Sequence, residues 1–137
     1  MTNPPTTELR AVGRVTSPVA DPAAAAKQGD EGAPEVTLEF DTAVADGLRG
    51  IEAGADLLLL TWLHRADRDT LVVHPRGDPA RPETGVFATR SPDRPNPIGL
   101  HRVRVLAVDG TRLRVSGCEA VDGTPVLDLK PVLGDER

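Results

Sequence analysis

The chain has 137 residues, of which 39% are hydrophobic and 27% are charged, and its net charge is −5. A chain of this length forms one hydrophobic core, and its sequence shows no apolar run of membrane-spanning length and no signal segment. Its single cysteine, Cys118, excludes an internal disulfide, so the composition predicts a soluble cytoplasmic protein.

The first forty residues predict a tail followed by two strands. Residues 1–7 are polar and contain prolines, so we expect a disordered tail ahead of a single domain over residues 8–137. Alternation of side-chain type predicts strands at Glu8–Thr16 and Glu35–Phe40. The intervening loop, Ser17–Pro34, is long for a small domain, and loops of this length are usually functional or mobile.

The middle of the chain predicts a short helix and three strands. Asp41 or Thr42 can cap a helix that runs to about Gly50. The segment Leu57–His64 is continuously apolar, which is typical of a strand buried on both faces. Two further strands are predicted at Thr70–His74 and Gly85–Thr89.

A hairpin is predicted after residue 100, because arginines alternate there with apolar residues at Arg102, Arg104, Arg112 and Arg114. A two-residue turn at Asp109-Gly110 would put Arg104 on the same face as Val115. A three-residue loop, Asp109–Thr111, gathers all four arginines on one solvent-facing side instead. The hydrophobic pattern favours the three-residue loop.

With a last strand at Pro125–Pro131, the chain predicts a mainly β, antiparallel fold of about seven strands and one or two short helices. The sequence contains no G-x-G-x-x-G, so the Gly-rich phosphate-binding loop of a Rossmann fold is absent. His64, His74 and Cys118 lack the spacing of metal ligands, so we expect no metal site. Cys118 is predicted to be a buried, unreactive thiol.

The segment Gly85–Leu100, GVFATRSPDRPNPIGL, is the most informative part of the chain. Three prolines within seven residues predict a stiff, extended loop whose shape is set before any ligand binds: Pro92, Pro95 and Pro97. This loop carries hydrogen-bonding side chains at Arg90, Ser91, Arg94 and Asn96. By residue type alone it is either a preorganised binding loop or a crossover with solvated arginines.

The same segment, together with DGTPVLDLKP at Asp122–Pro131, resembles the signature of the TsaA-like, or TrmO-type, methyltransferases. The similarity extends back to about Arg10. It implies a small single-domain antiparallel β-barrel that binds S-adenosyl-L-methionine and forms a homodimer. It also implies N6-methylation of N6-threonylcarbamoyladenosine, next to the anticodon of tRNA.

The resemblance also implies which residues form the site. Nine positions correspond to cofactor contacts: Gln28, His64, Arg65, Arg90, Leu100, Glu119, Ala120, Val121 and Asp122. Arg90 is expected to pair with the cofactor carboxylate, and Glu119 to accept hydrogen bonds from the adenine or the ribose. Contacts to the methyl acceptor are expected at Arg94, Asn96, Asp128 and Lys130.

Two other functions stay open at this point. The acceptor could be a small molecule, or the protein could be a non-catalytic module that binds the adenosyl ligand. The chain departs from the family pattern at Lys27 and Val132, and it ends at Arg137, before the extension that larger members direct toward tRNA. The missing extension and the acidic net charge favour a small acceptor, whereas the intact motifs favour tRNA.

Overall fold

Eight β-strands are formed by the residues that the computed structural model describes, 6–17 and 35–134. They are β1 Gly13–Thr16, β2 Val36–Phe40, β3 Asp56–Trp62, β4 Val72–Val73, β5 Thr84–Gly85, β6 Ile98–Asp109, β7 Arg112–Ser116 and β8 Pro125–Pro131. Six of them close into a barrel in the order β1-β2-β7-β6-β3-β8, and every neighbouring pair is antiparallel. Strands β4 and β5 form a separate two-stranded ribbon. The predicted antiparallel barrel is confirmed.

Alternate residues of the six barrel strands point inward and form the core. Leu38, Leu59, Leu113, Val115 and Val126 are fully buried. Gly13, at the start of β1, lies so close to β2 that a Cβ atom would collide with the backbone oxygen of Glu39. The barrel is therefore filled with branched aliphatic side chains, as its few aromatic residues require.

Strand β3 corrects one expectation, because it is not buried on both faces. Leu57, Leu59 and Thr61 are buried in the barrel, whereas Leu58 and Leu60 are only half-buried on its outer surface. A single-layer barrel covers one face of each strand, so an apolar run does not imply a second layer over the other face.

Four local predictions also change. The predicted strand Glu8–Thr16 begins only at Gly13, and the predicted strand Thr70–His74 is reduced to Val72–Val73. The predicted strand Gly85–Thr89 keeps only its first residue, and a 3₁₀ turn at Val86–Ala88 replaces the rest, with Thr89 N–H donating to the Val86 carbonyl at 3.1 Å. The predicted helix after Asp41 is present as a 3₁₀ helix, Thr42–Leu48, without a side-chain cap.

The hairpin between β6 and β7 confirms the orientation of the arginines and corrects the loop. All four arginines are exposed on the outside of the barrel. Asp109 pairs with Arg112, so the connection contains only Gly110 and Thr111. A register shift between Val105 and Ala107 adds one residue to β6 as a bulge, which restores the inward orientation of Val105.

Parts of three expectations lie outside the described residues: most of the N-terminal tail, most of the long loop Ser17–Pro34, and Gln28. None of the helices in the described ranges is long and apolar enough to span a membrane.

Candidate functional site

A cleft of about 610 Å³ lies at the end of the barrel where β3 ends and β6 begins. Three chain segments line it: residues 63–66 after β3, the proline loop with the first residues of β6, and the connection from β7 to β8. The lining residues are Leu63, His64, Arg65, Ala66, Arg90, Pro92, Asp93, Gly99, Leu100, His101, Glu119, Ala120, Val121 and Thr124. We call this the barrel-end cleft.

Seven of the nine residues predicted to contact the cofactor line this one cleft: His64, Arg65, Arg90, Leu100, Glu119, Ala120 and Val121. Asp122 lies next to them and accepts a hydrogen bond from the Ser17 backbone N–H at 2.9 Å. The barrel topology therefore brings together residues that are up to 57 positions apart in the chain.

The proline loop is held against the segment after β3. Arg68 donates to the Pro95 carbonyl at 2.8 Å and to the Asn96 side chain at 3.1 Å, and its guanidinium lies 5.0 Å from the centre of the Trp62 ring. Asp93 accepts a hydrogen bond from the Asp67 N–H at 2.9 Å. These contacts fix the loop before a ligand arrives, as expected of a preorganised binding loop.

The predicted acceptor contacts lie in two different places. Arg94 donates to the carbonyls of Thr89 and Ser91, both at 3.0 Å, so its guanidinium stabilises the loop itself. Asp128 and Lys130 form an exposed ion pair at 3.4 Å and line another cleft, formed with the 3₁₀ helix after β2. Their contact with an acceptor stays a prediction.

His101 is a residue of the cleft that the sequence argument missed. Its Nε2 lies 2.9 Å from the Thr61 hydroxyl, and its Nδ1 lies 3.7 Å from a carboxylate oxygen of Glu119. The imidazole is buried, and among the described residues its Nδ1 has no hydrogen-bond partner. The alternation along β6 was the available signal, because it places residue 101 on the inner face with Val103.

The cleft fits S-adenosylmethionine in size and in chemistry. Its volume lies within the usual range for small-molecule sites, and apolar side chains supply much of the wall. Arg65 and Arg90 match the carboxylate of the amino-acid end, Asp93 matches its ammonium group, and Glu119 can accept hydrogen bonds from the adenosine.

Thr61→Val should destabilise the fold, because it leaves the buried His101 Nε2 without its partner while keeping the side-chain shape. An unsatisfied buried polar group costs about 1–3 kcal/mol. Urea unfolding measures this loss. Thr61→Ser keeps the hydroxyl and should retain most of the hydrogen-bond contribution. An equal loss of unfolding free energy in both variants would contradict a stabilising hydrogen bond between Thr61 and His101.

Cys118 is fully buried in the core beside the cleft. Burial raises the pKa of its thiol from 9.0 to about 11. We expect its alkylation by iodoacetamide at pH 8 to be about a hundredfold slower than that of a thiol with the ordinary pKa, as measured by mass spectrometry. The folded state holds the thiol proton more tightly than the unfolded chain does. The protonated thiol therefore contributes to the free energy of unfolding below pH 9, and this contribution is lost as the pH rises toward 11. Equally fast labelling of the native and the urea-unfolded chain would contradict this prediction.

In the described part of the chain, no three His, Cys, Asp or Glu side chains are grouped so that they could hold a metal ion.

Comparison with known proteins matches residues 14–135 to the family of the tRNA-methyltransferase O N-terminal domain. A probable S-adenosyl-L-methionine-binding protein of Archaeoglobus fulgidus is 48% identical over 124 residues, which cover 90% of this chain and 33% of that protein. A second protein of the same description, from Methanothermobacter thermautotrophicus, is 42% identical over 127 residues, covering 93% of this chain and 90% of that protein.

Among solved structures, TrmO from Pseudomonas aeruginosa superimposes with a TM-score of 0.77 at 31% identity. The match covers all of this chain and 62% of that one. The chain therefore spans a third of the first of these relatives and under two thirds of the solved TrmO structure.

Proposed function

Because the chain belongs to the family of the tRNA-methyltransferase O N-terminal domain, we propose that it is an S-adenosylmethionine-dependent methyltransferase. We further propose that its acceptor is N6 of N6-threonylcarbamoyladenosine in tRNA. The observation that carries the first proposal is the gathering of seven expected cofactor contacts in the barrel-end cleft. The second rests on the family and on the two intact sequence motifs.

The bound cofactor would supply a methyl group already activated by its sulfonium. The chain therefore has to bind the cofactor, orient it toward the methyl acceptor and exclude water from the cleft. It needs no strong nucleophile of its own. Arg90 would hold the carboxylate of the amino-acid end in a two-pronged contact, and Glu119 would accept hydrogen bonds from the adenosine. Leu100, Ala120 and Val121 would contact the apolar faces of the ligand.

We also propose that the protein is a homodimer, and the apolar outer surface beside the cleft supports this. Leu60 pairs with Leu100, and Trp62 pairs with Ile98, so apolar side chains from β3 and β6 adjoin on the outside of the barrel. Ile98 is 40% and Leu100 45% exposed. A second copy covering this surface would lie next to the cleft, because Leu100 belongs to both. Sedimentation showing a monomer at micromolar concentration that still binds cofactor tightly would contradict the dimer.

Methyl transfer from labelled S-adenosylmethionine tests the function directly. Bulk tRNA from cells that lack the gene should accept label, wild-type tRNA should accept much less, and digestion should place the label on N6-threonylcarbamoyladenosine. Calorimetry with the cofactor is a separate measurement. Cofactor binding without methyl transfer to tRNA would favour a small-molecule acceptor or a non-catalytic binding module. The net charge of −5 is consistent with a small-molecule acceptor, because an acidic protein attracts nucleic acid less.

A further inference from the structure

A second cleft, of about 820 Å³, adjoins the barrel-end cleft. It lies between the proline loop and the connection from β4 to β5, residues 74–83. Arg90, Pro92 and Asp93 line both clefts and form their common wall. A group bound in the second cleft would therefore be a direct neighbour of a ligand in the first.

The second cleft carries a local excess of positive charge in an acidic chain. Arg76, Arg81 and Arg90 line it, and Asp93 supplies its one lining carboxylate among the described residues. That carboxylate already accepts the Asp67 N–H at 2.9 Å. Arg81 lies 3.9 Å from the carboxylate of Asp78, so its charge is partly balanced.

Arg76 and Arg90 differ from the arginines on the outside of the barrel. Arg104 and Arg112 each contact a carboxylate, at 3.2 Å from Asp56 and from Glu39 respectively. Within residues 6–17 and 35–134, neither Arg76 nor Arg90 has such a partner. When Arg90 holds the cofactor carboxylate at the wall that both clefts share, Arg76 still offers the second cleft a guanidinium group without a counter-ion, which suits an oxyanion.

The backbone holds Arg76 in place while its side chain stays available. Its φ is +58° and its ψ is 20°, a left-handed conformation that disfavours residues other than glycine. The surrounding turn is closed by hydrogen bonds from Gly77 N–H to the His74 carbonyl at 2.8 Å and from Asp78 N–H to the Pro75 carbonyl at 3.2 Å. His74 Nδ1 also lies 2.8 Å from the Arg81 carbonyl. A turn fixed in this way loses little entropy when its side chain binds a ligand.

We propose that the second cleft binds an oxyanion of the methyl acceptor through Arg76, with Arg90 at the boundary between acceptor and cofactor. This inference rests on the proposed function, since it assigns the acceptor's position relative to the barrel-end cleft. The oxyanion is either the carboxylate of a modified nucleoside or a phosphate of the nucleic-acid backbone. Both present the same charged oxygens to a guanidinium group.

Arg76→Gly is the decisive variant, because glycine adopts a positive φ without steric cost and so removes the guanidinium without adding strain. KM for the acceptor should rise roughly ten- to a hundredfold, as expected for the loss of a charged hydrogen bond. The calorimetric Kd for S-adenosylmethionine should not change, because Arg76 lies outside the barrel-end cleft. Arg112→Ala, on the outer surface, serves as the control for a general loss of positive charge.

The source of the oxyanion is distinguished by two acceptors. If Arg76 binds the carboxylate, the variant should lose affinity for free N6-threonylcarbamoyladenosine and for tRNA alike. If it binds a phosphate, KM should rise only for tRNA. The slope of log KM against log salt concentration should then fall by about one, since one fewer counter-ion is released on binding. Unchanged KM for both acceptors would overturn the proposal.

Failure of the proposed function is recognised separately. If the wild-type protein transfers no methyl group to either acceptor, N6-threonylcarbamoyladenosine is not its acceptor, and the second cleft is tested by titration with inorganic pyrophosphate. NMR signals of the Arg76 and Arg90 guanidinium groups should then shift, and that of Arg112 should not. No shift at Arg76 would overturn the anion site whatever the activity of the protein.

Discussion

Arg90→Lys should weaken the binding of S-adenosylmethionine by about 1.5–3 kcal/mol, roughly ten- to a hundredfold. Arg90 lines the barrel-end cleft and belongs to the proline loop. Two hydrogen bonds hold this loop in place, from Arg94 to the Thr89 carbonyl and from Arg68 to the Pro95 carbonyl. Lysine keeps the charge but loses the planar, two-pronged geometry that matches a carboxylate. Calorimetric titration with the cofactor gives the affinity of each variant.

The thermal midpoint separates binding from folding in this experiment. Arg90 is exposed and has no partner among the described residues, so its replacement should leave the midpoint nearly unchanged. Arg104→Lys, on the outer barrel surface, is the matched control and should change neither quantity. Unchanged affinity with a markedly lower midpoint would give Arg90 a structural role and remove it from the site.

Gly117→Ala should lower the free energy of unfolding by about 2–5 kcal/mol, the sum of a backbone and a steric cost. Gly117 has a φ of +91°, which an L-residue rarely adopts, and an added Cβ would lie 2.8 Å from the backbone oxygen of Arg102. Because that oxygen belongs to β6, it cannot move without disturbing the barrel. Urea unfolding should show the loss, accompanied by a thermal midpoint lower by the order of 10 °C.

Gly54→Ala isolates the steric part of this effect. Gly54 has a φ of +93°, nearly that of Gly117, but an added Cβ would meet no atom within 4 Å. It should therefore cost only about 1–2 kcal/mol, the price of the left-handed conformation. If the two alanine variants were equally stable, the close approach of Gly117 to β6 would not be a determinant of the fold.

The sequence predicts the features that depend on neighbouring residues. Alternation places Val103 and Leu113 inside the barrel and Arg102 and Arg112 outside it, as observed. It could not predict how the proline loop is held, because Asp67 and Arg68 reach it from the segment after β3. Contacts of this kind are created by the tertiary fold and leave no periodic signal.

In the β6–β7 hairpin, the predicted outward orientation of the arginines is correct although the predicted loop Asp109–Thr111 is not. The predicted three-residue loop implies that Arg104 pairs with Ser116, and this pairing is present. Near the turn, however, Asp109 pairs with Arg112, and the bulge after Val105 absorbs the difference of one residue. A bulge preserves the inward face of both strands, so the hydrophobic pattern cannot reveal it.

The position of β8 has a consequence for how the protein is made. This strand pairs with both β1 and β3, and it is the last barrel strand to leave the ribosome. Until it emerges, β1 and β3 keep unpaired edges that can join other strands. The connection that carries Glu119, Ala120 and Val121 precedes it directly, so the ligand site is completed at the same late stage. We therefore expect a nascent chain arrested before Pro125 to be prone to aggregation and unable to bind the cofactor, and both properties to change together once β8 is released.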